Sequence, residues 1–134
     1  MGGEPWFNIV PYEADTEAVL QKTRADVFAS GNYTLTGKKK PRTIEEVLKR
    51  GGAEGTNSIL DMLAVTDRPA DRAVTPLTKK SLVKLFGTEQ PTEKDWWAGY
   101  LELWDSLEPG RGIVVVLYAD GKPDKIVFAG LEFE

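Results

Sequence analysis

Asp61 stands inside an otherwise apolar run, and a carboxylate in such a place must either be paired or have its pKa shifted. The chain contains no histidine and no cysteine, which removes serine and cysteine triads, histidine-based zinc chemistry and thiol nucleophiles. Apart from tyrosine and lysine, acid and base work falls to the carboxylates. An enzyme built on this chain would therefore resemble a glycosidase or a Mg²⁺-dependent phosphodiesterase. No D-x-D pair and no nuclease-type spacing accompanies Asp61, and strand alternation turns it toward solvent in the simpler account. Glu132 and Glu134 alternate with Leu131 and Phe133 as outward positions of a sheet do.

A second group of chemically capable residues lies between 91 and 107. Trp97, Tyr100, Leu101, Trp104 and Leu107 form one contiguous helical stripe, and such a stripe is expected to face the core. Trp96 and Leu103 fall on its flank, next to a polar arc holding Lys94, Asp95, Glu102 and Asp105. Tryptophan beside carboxylates suits a contact surface, so Trp96, Glu102, Leu103 and Asp105 are the candidate partner-binding residues.

The basic run Lys38, Lys39, Lys40 and Arg42 could hold phosphates or serve as an address. It has only Tyr33 as an aromatic neighbour and reads as a solvated loop. The glycine-rich stretch at 51–56 follows a helix rather than a strand and lacks the lysine of a phosphate loop, so it reads as a helix stop and turn. No metal or cofactor motif emerges, and no family motif stands out.

The elements that must carry these residues are legible from short-range signals. Residues 6–12 are aromatic and β-branched and close on Pro11, which suits an opening strand. Asp15 or Thr16 caps a first helix to about Ser30, with Val19, Leu20, Thr23 and Val27 inward and Gly31 as its stop. Thr43 and Glu46 predict a capping box for a short second helix, with Ile44, Val47 and Leu48 inward. Residues 58–66 are expected to form a strand, and residues 67–76 an irregular connection.

Thr78 caps a third helix, with Leu77 stapled on Leu82 and Gly87 as its stop. Thr92 and Asp95 open a fourth helix to about Leu107. Residues 113–119 and 125–133 are expected to pair as a hairpin through the five-residue loop 120–124. The unbroken apolar run at 113–117 marks a strand covered on both faces.

The fold class that follows is α+β: an antiparallel or mixed sheet of about four strands, four helices packed on it, and a C-terminal β-hairpin. A length of 134 residues, 41% hydrophobic and 28% charged, suits one globular domain over 1–134. Formal net charge is −4, and without the run at 38–42 the remainder carries 13 basic against 21 acidic residues. This balance points to a basic protein as partner, and away from nucleic acid and anionic membrane. The first residues lack a secretory pattern and no apolar run is long enough to span a bilayer, so a cytoplasmic address is expected. The preferred reading is a non-catalytic binding module of the immunity or inhibitor type. The alternative is a carboxylate-dependent hydrolase of small-molecule or phosphodiester substrates, with its pocket around Asp61 and Trp96.

Overall fold

The computed structural model describes residues 4–35, 37 and 39–132. Lys38 of the basic run, and Phe133 and Glu134 at the end of the last expected strand, lie outside the described residues.

Among the described residues the chain runs β1 (Pro5–Pro11), α1 (Thr16–Ser30), α2 (Ile44–Gly51), β2 (Ala64–Val65), β3 (Ala73–Pro76), α3 (Lys79–Phe86), α4 (Glu93–Leu103), β4 (Gly112–Ala119) and β5 (Lys122–Leu131). The strands form one mixed sheet in the order β1-β5-β4-β3-β2. β1, β5 and β4 pair antiparallel, whereas β4, β3 and β2 pair parallel. The expected α+β architecture with a C-terminal hairpin is what forms.

Alternation along the central strands divides the core in two. Val114, Ile126 and Phe128 face α1 and α2, while Ile113, Val115, Leu117, Val127 and Ala129 face α3 and α4. β4 is therefore covered on both faces, which is what its unbroken apolar run requires. Trp6 on β1 lies across β5 at Gly130, where a Cβ would stand 2.6 Å from its indole Cζ2. Only glycine lets the ring settle on the sheet there.

Helix starts match their local signals. Asp15, Thr43, Thr78 and Thr92 each accept a backbone N–H of the first turn. The box of α2 is only half closed, however. Thr43 accepts from Glu46 N, but the Glu46 carboxylate accepts from Arg42 N at 2.7 Å rather than from the capping residue.

Three expectations are overturned. Residues 58–66 are not a strand: Ile59–Asp61 is a 3-10 turn, capped by Ser58 and entered from Asn57 at φ 51°, and only Ala64–Val65 is extended. Residues 67–76 are not wholly irregular, because Ala73–Pro76 inserts between β2 and β4 with Ala73, Val74 and Thr75 buried. Parallel neighbours normally need a long crossover; β2 and β3 pair over only two residues each, so the short link 66–72 suffices. The hairpin turns on Asp120 and Gly121, at φ 51° and 77°, the type I′ geometry that suits a two-residue loop. Pro123 is accommodated at the Tyr118 pair, and the register shift beside it leaves Asp124 opposite no residue of β4.

Candidate functional site

α4 packs in an orientation other than the one its stripe of aromatic residues predicts. Trp96 and Leu103 are 0% exposed and belong to the core, whereas Trp97 is 49% and Leu101 66% exposed. The apolar residues of this helix spread over two overlapping stripes, and Tyr100 belongs to both. Gly99 separates them: the α4 backbone meets α3 there, and a Cβ at Gly99 would stand 2.5 Å from Leu85 O. A glycine inside an otherwise strong helix was the available sign of this close approach.

Trp96 lies beneath Phe7, Phe86 and Tyr100, with ring centroids 5.6, 5.9 and 5.8 Å away. The proposed contact role of Trp96 and Leu103 is thereby corrected to core packing, since neither reaches solvent. Glu102 and Asp105 are exposed, and both border a hollow of about 510 Å³ between α3 and α4. The structure thus separates the four candidates into two core residues and two surface carboxylates.

Trp97 and Leu101 lie one turn apart on the outer surface of α4. The Trp97 indole packs edge-on to Phe7 of β1 at 5.7 Å and donates from Nε1 to Glu93 Oε2 at 3.3 Å. Glu93 also holds Lys125 Nζ at 2.5 Å. The hydrogen bond to Lys125, with that to Trp97, keeps the Glu93 carboxyl below the usual glutamate range, and its counterpart raises Lys125. Trp97 is held at the rim of the aromatic group rather than projecting freely.

Asp61 does not face solvent. It is 1% exposed and accepts both the N–H and the hydroxyl of Thr56, at 2.9 to 3.0 Å, closing the loop that carries Asn57 and Ser58. Burial raises its pKa, outweighing those hydrogen bonds. Arg24, which no sequence pattern singles out, is buried beside it, with a guanidinium nitrogen donating to Leu60 O at 3.0 Å and its pKa lowered by burial. Asp61 sits on the α1 and α2 side of the sheet and Trp96 on the other, so the pocket imagined between them does not exist.

Among the described residues, no group of three or more Asp and Glu side chains is placed to hold a metal ion. Lys39, Lys40 and Arg42 are exposed, and the Lys39 carbonyl accepts from Arg50. No helix of the described chain is long and apolar enough to cross a membrane. The fold and surface define a three-layer α+β domain with an aromatic and acidic helix on one outer face. Comparison with protein-family models, curated proteins and solved structures finds no match.

Proposed function

We propose that the protein is a cytoplasmic, non-catalytic binding module, of the immunity or inhibitor kind, that covers a basic protein with the outer face of α4. The observation that carries this reading is the exposure of Trp97 and Leu101 one turn apart, beside the exposed carboxylates of Glu102 and Asp105. An apolar pair of this kind gains most of its energy when a partner excludes water from it. The adjacent carboxylates steer a positive partner during encounter.

Affinity capture at low and then high salt identifies the partner, and association kinetics then test the face. Association is expected to slow as ionic strength rises and in Glu102→Lys, while Trp97→Ala and Leu101→Ala mainly speed dissociation. Salt-independent association, with binding unchanged in all three variants, overturns the proposal.

A further inference from the structure

β1 is an edge strand, and its outer side is open among the described residues. Tyr12 N donates to Asp124 O and Glu132 N to Glu4 O, so even-numbered residues of β1 turn their backbone groups toward β5. The odd-numbered residues therefore point theirs outward. Pro5 and Pro11 occupy the two ends of that outer row and have no N–H, which leaves the N–H and C=O of Phe7 and Ile9 between them. No described hydrogen bond takes up these four groups.

The two sides of this edge differ. On one, Phe7 carries the Trp97 ring. On the other lies a hollow of about 290 Å³ bordered by Asn8, Asn32 and Asn57. Trp6 and Asn57 line that hollow, and the buried atoms Trp6 Nε1 and Asn57 Oδ1 have no hydrogen-bond partner among the described residues. Charge leans the same way: residues 4–13 and 93–108 hold seven carboxylates and Lys94, and three of the seven are paired, Glu13 with Lys22, Glu93 with Lys125 and Glu108 with Arg111, which leaves the stretch net acidic.

Resting on the binding face proposed above, we infer that the partner contributes an extended segment carrying lysine or arginine, which adds to the outer edge of β1 as a sixth strand. Its backbone bonds to Phe7 and Ile9, and the prolines limit the pairing to this short span. Alternate side chains then enter the two sides, apolar ones against Phe7 and Trp97, and basic ones toward the asparagine-lined hollow, where Asn57 Oδ1 is free to accept among the described residues.

The probe is an end-blocked peptide, Lys-Val-Lys-Val-Lys-Val-Lys, titrated into the ¹⁵N-labelled full chain. The Phe7 and Ile9 amides are expected to shift, and at saturation their hydrogen exchange slows at least about tenfold. Replacing the central valine by proline, or every lysine by glutamate, is expected to weaken binding at least about tenfold. Unprotected Phe7 and Ile9 amides overturn strand addition, whether or not Trp97 responds; the binding face itself stands or falls on the Trp97→Ala kinetics. Protection of these amides that rises with protein concentration and needs no peptide assigns the edge to a second copy, and overturns the basic segment.

Discussion

Trp96 and Trp97 are adjacent in sequence and sit in opposite environments. Trp96 is enclosed by three rings, so Trp96→Ala should cost roughly 3 to 5 kcal/mol in urea unfolding. Leu101→Ala should stay within about 0.5 kcal/mol, because the side chain is 66% exposed. The reverse ranking would restore the stripe that periodicity favours. Asp61 yields a pH prediction. Its folded pKa is raised, so the native state holds the proton more tightly than the unfolded chain. The associated stability is fully present below the ordinary aspartate value of about 4 and is lost as pH rises through the raised value. Wild type should therefore lose stability relative to Asp61→Asn across that window, as read from urea midpoints at stepped pH; parallel curves would show that Thr56 fully offsets burial. The presence of a carboxylate in an apolar run was legible. Its capture by Thr56 was not, because alternation assumed a strand where Asn57 and Ser58 start a 3-10 turn.

At the scale of elements, the contact of α3 with α4 depends on Gly99. Gly99→Ala places a methyl group 2.5 Å from Leu85 O and 2.9 Å from Phe86 Cδ1, and should destabilise by about 1 to 3 kcal/mol as the helices separate. A neutral result, measured by thermal or denaturant unfolding, would mean that the helix pair yields without cost. Caps are more local. Thr43→Ala strips the acceptor from Glu46 N and should cost roughly 0.5 to 2 kcal/mol, with faster amide exchange at Glu46. The Glu46 carboxylate cannot compensate, since it serves Arg42 N. All four helices were legible because a cap and an apolar face lie within a few residues of one another, with a glycine stop closing α1, α2 and α3; α4 instead ends at Leu103 and tightens into a 3-10 turn over Trp104–Ser106. The rotation of α4 was not, because two overlapping apolar stripes satisfy the same period and a neighbouring helix selects between them.

For the whole molecule, the strand order sets where stability concentrates. β4 and β5 lie inside the sheet, each paired on both sides over part of its length, and form the seam between the two cores. Amides of Val115 and Val127 should exchange only through global unfolding, whereas those of Ala64 and Val65, in a two-residue edge strand, should open locally. Equal protection of the two groups, in native-state exchange, would contradict this division. The sequence by itself determined the α+β class, the helix starts and the stops of α1 to α3, the C-terminal hairpin and the doubly covered β4, because caps, turns and periodicity act over a few residues. Tertiary structure alone decided that the 59–61 turn is buried with Asp61 in it, that β3 inserts parallel between β2 and β4, and that Trp97 and Leu101 rather than Trp96 and Leu103 meet solvent. Each of these rests on contacts between separate elements, Gly99 with Leu85, Val74 with Gly112 and Arg24 with Leu60, and packing between distant segments overrides local pattern wherever that pattern permits more than one answer.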